Sequence, residues 1–424
     1  MGDKLRIQTH EWFNTLMKCT VGLILRGKYD LHAENAKVLT EVKPPYILLP
    51  THANLWDPFF LNYFVHHPIF FVTSDSLFRN RFVSYWIRQF GCIPKSQAIP
   101  DIETIRNIMT VIKRGDVLCL YPEGMQTWDG CTLPFNPNTA RLIKLLKVPV
   151  IRVISYGAFS TCPRWSRNRR QGRVTLDFKL ILSGDEIKKM DTESIDTVIE
   201  RELSYNEWDW LAHSHRYYNN FFGAHGMERV LYYCPSCGAM GTIRSACNIV
   251  RCKECSFYAR FTNKGRFVSS RYPTTPENLQ AWNKFQKSKL ASEILSTERF
   301  SPASDTPIFV NNVVAFTGYR INPMKRQGEG TLTLYRDRAV FKPINPKKTP
   351  FIFPVEHIEG ISFLRRHIEF YVDKTLYRFK FLSKYGSSLK WNDAIGILKE
   401  TRLSENPPKV EIPVDLPVIA HSPV

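Results

Sequence analysis

The stretch YILLPTHANLWDPFFL, Tyr46 to Leu61, decides how the first half of the chain is read. An apolar run, Tyr46 to Leu49, stops at Pro50, and a second, Phe59 to Leu61, opens behind Pro58. A short apolar run bounded by a breaker reads as a buried strand, and a proline suits the first turn of a helix. The stretch therefore reads as strand, loop, helix. His52 falls at the strand's end, with Asp57 five residues on. Imidazole takes up a proton near neutral pH, and a carboxylate on its other nitrogen fixes the tautomer. The pair can thus supply a base and its orienting group. A plainer reading makes Asp57 a helix N-cap ahead of proline and His52 an ordinary strand-end residue.

Outward from this stretch, strand-like runs recur at Ile69 to Thr73, Val117 to Tyr121, Val148 to Ser155 and Val174 to Leu182. Helical patterns lie between them. Ser76 to Phe90 carries Phe78, Phe82, Trp86 and Phe90 at four-residue steps; Asp101 caps a helix closed by Gly115; Asn138 to Lys147 forms a third. Thr192 to Phe222 reads as helical and aromatic-rich, and residues 5 to 28 as an amphipathic helix with basic flanks. Such a helix can pack on the protein or lie in a membrane interface. Strand-helix alternation predicts an α/β fold with a mostly parallel sheet flanked by helices, whose chemistry sits at the strand ends.

The character changes at Cys234. Cys234-Pro-Ser-Cys237 and Cys252-Lys-Glu-Cys255 are two C-x2-C hooks, fourteen residues apart. Four converging thiolates make a tetrahedral site of the kind structural zinc prefers, with no position left for substrate. Residues 271–307 read as a helix and linker. Beyond them, alternating patterns from Val313 to Leu382, with turns at Arg336-Asp337-Arg338 and Asp373-Lys374-Thr375, predict a β-barrel-like domain closed by a helix from Ser387 to Lys399. The expected organisation is a first domain over 1–225, a zinc ribbon over 226–270, the helix and linker, the β domain over 308–404 and a tail over 405–424.

Composition narrows the function classes. Aromatic residues at 13% and hydrophobic residues at 43% argue for packed cores over disorder. A net charge of +19 favours anionic partners: nucleic acid, an anionic membrane surface or phosphorylated substrates. No apolar run reaches the roughly eighteen residues of a membrane span, and the first residues show neither a secretory signal nor a myristoylation pattern. Ten cysteines in two close pairs and isolated apolar settings suit a reducing compartment.

With His52 and Glu123 both in view, residues 40 to 215 resemble the glycerophosphate acyltransferase family, which includes the 1-acylglycerol-3-phosphate acyltransferases. His52 and Asp57 match its H-x4-D motif; Phe90-Gly91-Cys92-Ile93-Pro94 stands at its second block; Tyr121-Pro122-Glu123-Gly124 matches its Phe-Pro-Glu-Gly block; Val148-Pro149-Val150-Ile151 matches its fourth. The resemblance implies transfer of a fatty acyl group from a thioester donor, acyl-CoA or acyl-carrier protein, to a lysophospholipid hydroxyl. His52 would be the general base and Asp57 its partner. Asn54, Lys95, Glu123, Gly124 and Arg141 would contact substrate. The chain departs from the family where Gln97 and Gln126 stand at usual arginine positions and Asn54 at a usual serine, which leaves Lys95 as the nearest cation of the second block. The β domain resembles a pleckstrin-homology-like module in shape alone.

The basic loop Arg164, Arg167, Arg169, Arg170 and Arg173 reads either as a phosphate-binding loop or as a solvated charged one. The leading expectation is a cytoplasmic enzyme of phospholipid biosynthesis, peripheral on the cytoplasmic face of a membrane. The alternative is a nucleic-acid- or protein-binding zinc-ribbon protein with an inactive acyltransferase-like domain. Four ordered blocks, which a nucleic-acid binder has no use for, argue against nucleic acid as the partner.

Overall fold

The computed structural model describes residues 11–96, 101–166, 168–296, 305–364 and 366–405. The part of the expected first helix before residue 11, together with Gln97, Arg167 and the expected tail beyond 405, lies outside these residues.

Seven strands form the first sheet: β1 (Leu31–Glu34), β2 (Ile47–Pro50), β3 (Ile69–Ser74), β4 (Ile93–Lys95), β5 (Val117–Cys119), β6 (Val150–Tyr156) and β7 (Val174–Leu182). Their order is β1-β7-β6-β2-β5-β3-β4. β6, β2, β5, β3 and β4 run parallel, while β7 pairs antiparallel with β6 and carries β1 parallel to itself. The sheet is mixed and mostly parallel. β2 is buried at every position because both its faces are covered. Ile47 and Leu49 join a core with Ile108 and Val111 of the helix Ile102–Lys113, Ile143 of Asn138–Leu146 and Ile195 of Thr192–Leu203. Leu48 points the other way, into a core with Phe60 and Leu61 of the helix Asp57–Phe64. The C-terminal ends of β2 and β5 lead into the loops that carry His52 and Glu123.

Several elements differ from the sequence reading. The expected helix Ser76 to Phe90 splits into a 3-10 turn, Asp75–Arg79, and a helix, Arg81–Gln89, because the Asn80 side chain accepts from the N–H groups of Phe82 and Val83 and restarts the helix. The helix expected over Thr192 to Phe222 is two, Thr192–Leu203 and Glu207–His213, the second capped by Asn206. Beyond Ser214 the chain leaves the helix to bridge neighbours, with Asn219 paired to Gln171 and Tyr218 N–H donating to Asn263. The first helical run, Glu11–Met17 and Leu23–Tyr29, passes through a π turn at Lys18–Gly22.

A four-stranded antiparallel sheet follows: β8 (Ile243–Ala246), β9 (Ile249–Cys252), β10 (Tyr258–Phe261) and β11 (Phe267–Val268). Seven more strands build the C-terminal sheet: β12 (Phe309–Gly318), β13 (Lys325–Leu334), β14 (Arg338–Pro343), β15 (Phe351–Pro354), β16 (Glu359–Leu364), β17 (His367–Val372) and β18 (Thr375–Phe381). It is antiparallel throughout, in the order β15-β14-β13-β12-β18-β17-β16. Among the described residues β15 and β16 do not pair, so it is a half-barrel, against which the helix Ser388–Glu405 packs. Asp373 and Lys374 both take positive φ, which suits the two-residue turn joining β17 to β18.

The helix expected ahead of the linker, Leu279–Ser296, is packed into the core. Trp282 of the helix Leu279–Ser296 is fully buried, and Gln286, also buried, accepts from the Tyr232 N–H and donates to the Val230 carbonyl. One apolar core runs from Leu25 through Phe257 and Trp282 to Leu398. The C-terminal sheet docks at the ends of β3 and β4. There the Arg79 guanidinium bonds both Asp75 and Glu369, the Tyr371 and Ser96 hydroxyls donate to Asp75, and Arg320 pairs with Asp101.

Candidate active site

His52 follows the C-terminal end of β2, and the loop behind it folds back on itself. One oxygen of Asp57, Oδ2, accepts from three donors: His52 Nδ1 at 3.0 Å, Ala53 N–H at 2.9 Å and Asn54 N–H at 2.8 Å. Asp57 is buried, at 1% exposure, while the His52 side chain keeps 19%. A carboxylate only accepts, so Nδ1 carries the hydrogen, and in the neutral ring Nε2 holds the lone pair. The N-cap reading of Asp57 is corrected by this geometry. Asp57 is the first helical residue, Trp56 stands at the cap position, and the carboxylate serves the preceding loop instead of its own helix.

The loop after β5 grips His52 by its backbone. Glu123 Oε1 accepts from the His52 N–H at 2.8 Å and Oε2 from the Leu133 N–H at 2.9 Å, while the Thr127 N–H donates to the His52 carbonyl at 2.9 Å. Burial pushes the Glu123 carboxyl up to about 8, against the pull of those two N–H groups. Both carboxyl oxygens are thereby engaged within the protein. Gly124 closes the turn from Tyr121 at φ 70°, a left-handed backbone that favours glycine, and no atom lies near where a Cβ would stand. The Tyr121 ring lies 4.2 Å from the imidazole, centre to centre.

The remaining candidates are dispersed. Asn54 is fully buried; its amide donates to the Ala158 carbonyl and Thr161 Oγ1 and accepts from the Trp56 N–H, so it braces the loop from behind. Lys95 is exposed at the end of the edge strand, three strand spacings from β2, about 14 Å at ~4.8 Å each. Arg141 is exposed on the helix Asn138–Leu146, 3.5 Å from the Asn138 amide.

Four arginines of the basic loop are tied into the fold. Arg170 is buried, donates to the Ser160 and Gly223 carbonyls, and lies over the rings of Trp165 and Phe261. Arg164 donates to the carbonyls of Gln126 and Phe363. Arg169 donates to the Lys28 carbonyl and Arg173 pairs with Asp30. These four guanidinium groups bind the chain to itself. Nothing local in the sequence distinguishes such internal clamps from a phosphate loop. Thr127 was likewise silent, since its part is played by a backbone N–H.

The two cysteine hooks meet. Cys234, Cys237, Cys252 and Cys255 place their sulfurs within 4.8 Å of one another, with the pairs Cys234–Cys255 and Cys237–Cys252 each at 3.8 Å. Four ligands at ~2.3 Å in a tetrahedron stand about 3.8 Å apart, so the cluster fits a tetrahedral metal. Cys247 sits in the β8–β9 turn at φ 49°, outside the cluster.

Residues 29–155 match the acyltransferase family. The chain is 27% identical over 202 residues to a 1-acyl-sn-glycerol-3-phosphate acyltransferase of Streptococcus pneumoniae, covering 47% of this chain and 74% of that protein. Among solved structures, the 1-acyl-sn-glycerophosphate (LPA) acyltransferase of Thermotoga maritima aligns with 45% of this chain and 78% of its own, at 17% identity and a TM-score of 0.39. His52, Asp57, Glu123 and Gly124 all fall in the segment that matches the acyltransferase family, and that match supports acyltransferase activity.

Proposed function

We propose that the chain moves a fatty acyl group from a thioester, acyl-CoA or acyl-carrier protein, to the free hydroxyl of a 1-acylglycerol-3-phosphate-type lysophospholipid. One observation carries the reading: three donors fix Asp57 Oδ2, which holds Nδ1–H inward and leaves the Nε2 lone pair for the acceptor. His52 Nε2 takes the hydroxyl proton as the oxygen attacks the thioester carbonyl. The C–O ester bond forms, the C–S bond breaks, and the departing sulfur takes the proton back from His52. The thioester is already activated, so no protein nucleophile is needed. A positioned base supplies about 10²–10⁴-fold, and binding both substrates side by side supplies the rest.

Glu123 and Gly124 shape the acceptor side through the backbone they hold, and Lys95 and Arg141 are the cations offered to lipid phosphate from farther off. Cys234, Cys237, Cys252 and Cys255 hold one structural zinc, which ties the hooks together. The enzyme works peripherally on the cytoplasmic face of an anionic membrane. Support comes from the net charge and from exposed apolar side chains: Trp12, Leu16 and Ile24 on the first helical run, Phe82, Tyr85 and Trp86 on Arg81–Gln89, and Leu55 three residues from His52. Phe13 stacks on Trp86 with ring centres 6.0 Å apart, joining the two helices into one patch. Among the described residues no helix is long and apolar enough to cross a membrane.

The test is turnover of labelled acyl-CoA and acyl-carrier protein against a panel of lysophospholipids, with vesicle co-sedimentation alongside. Turnover with a glycerolipid acceptor, and binding that rises with anionic lipid and falls with salt, are expected. A panel without turnover would remove the substrate assignment.

A further inference from the structure

The loop that holds His52 is itself held by the C-terminal half-barrel. Arg164 lies after β6 and reaches both parts: it donates to the Gln126 carbonyl at 3.1 Å and to the carbonyl of Phe363 on β16. Its guanidinium carbon stands 4.7 Å from the centre of the Trp128 ring and 5.3 Å from that of Phe363. The two rings stack on each other, centres 5.2 Å apart and planes within 6° of parallel. Trp128 and Phe363 are both buried, so the contact is dry. Gln126 and Trp128 flank Thr127, whose N–H holds the His52 carbonyl, and Glu123 holds the His52 N–H from the same loop. The path from β16 to the imidazole therefore runs through three successive links: Phe363 to Arg164, Arg164 to Gln126, and Thr127 to His52.

We propose that Arg164, with Trp128 and Phe363, is a positioning residue through which the C-terminal sheet fixes the place of His52. The half-barrel then forms part of the acyl-transfer machinery, and its docking state sets the rate. The inference rests on the reading of His52 as the base. A base must meet the acceptor hydroxyl within hydrogen-bond reach, and a misplacement of 1 Å can cost about 10²-fold. Lysine at 164 keeps the charge but lacks the planar group that bridges two carbonyls while lying against aromatic faces. Leucine at 363 keeps apolar volume but loses the stack.

The full chain is assayed with acyl-CoA and the acceptor found most active in the panel, as parent, His52→Ala, Arg164→Lys, Phe363→Leu and the double Arg164→Lys/Phe363→Leu. Arg402→Gln, at an exposed ion pair with Glu356 in the same half-barrel, is the control. Each clamp variant is expected to lower kcat about tenfold with the donor KM within about twofold. The double variant should fall no further than the worse single, because both changes break one contact. The control should match the parent. A purely structural role would lower the melting temperature but leave kcat per folded molecule and its KM split untouched; that result overturns the proposal. If Arg164→Lys does not fold, Phe363→Leu decides alone. Parental activity in His52→Ala sinks the base assignment, whereas a dead His52→Ala beside parental clamp variants sinks only the positioning role.

Discussion

The loop from His52 to Asp57 and the loop from Arg164 to Arg173 look alike as sequence: each is a polar run beside apolar strands, and each offers groups suited to a phospholipid reaction. The structure separates them by what is left over. In the first loop the donors converge on one carboxylate oxygen and leave the second ring nitrogen of His52 outside those bonds. In the second, guanidinium donors end on backbone carbonyls and aromatic faces inside the fold. Polar residues become a site when their partners leave a reactive atom unspent. Otherwise they hold the fold together.

That contrast breaks first at Asp57. Asp57→Asn should lower kcat/KM on the order of 10²–10⁴-fold while the protein stays folded, since the amide no longer enforces Nδ1–H. A variant within a few-fold of the parent would erase the distinction between the loops. Arg170→Met should do the reverse. The kcat per folded molecule stays at the parental level, while stability drops by about 2–4 kcal/mol as two carbonyls lose a charged donor. A lost kcat without lost stability would return the arginines to the site.

Metal removal sharpens the structural side. Because one core joins the cysteine cluster to the acyltransferase sheet, chelation should lower the unfolding midpoint of the whole chain and release about one zinc per molecule. An unchanged midpoint after stripping would contradict it.

A smaller effect concerns pH. The Glu123 carboxyl, ordinarily near 4.5, is raised on folding to about 8. Its contribution to stability is complete below the unfolded value and is lost as pH rises through the folded one. The melting temperature should fall between about pH 5 and 8.5, and Glu123→Gln should flatten that slope. The smallest effect belongs to Arg173→Gln, whose pair with Asp30 is exposed at 34% and 54%. Less than about 1 kcal/mol and no change in turnover are expected.

What could be read in the sequence follows the range of the forces involved. β2, β3, β5, β6 and β7 announce themselves because adjacent apolar residues alternate between two covered faces. The three- and four-residue edge strands β4 and β1 carry too few residues to show a period. Asn80 hid a break inside an even aromatic spacing. The His52–Asp57 pair was legible because its members are five residues apart, and the four cysteines because C-x2-C spacing is itself the geometry. The backward turn of Asp57 onto Ala53 and Asn54 was not, since it depends on how the loop closes. Asn283 and Gln286 made a buried helix look polar; their partners, Asp129, Val230 and Tyr232, lie far away in the chain. The arginines failed for the same reason: Arg164 meets Phe363 across 199 residues.

The proposed chemistry turns on removal of the acceptor's proton by His52. Its most direct test is acyl transfer to a lysophospholipid by purified His52→Ala, beside the parent, with both proteins shown to be folded by their melting temperatures. A loss of about 10²–10⁴-fold in kcat with the melting temperature kept is expected. Parental turnover in the variant would contradict it.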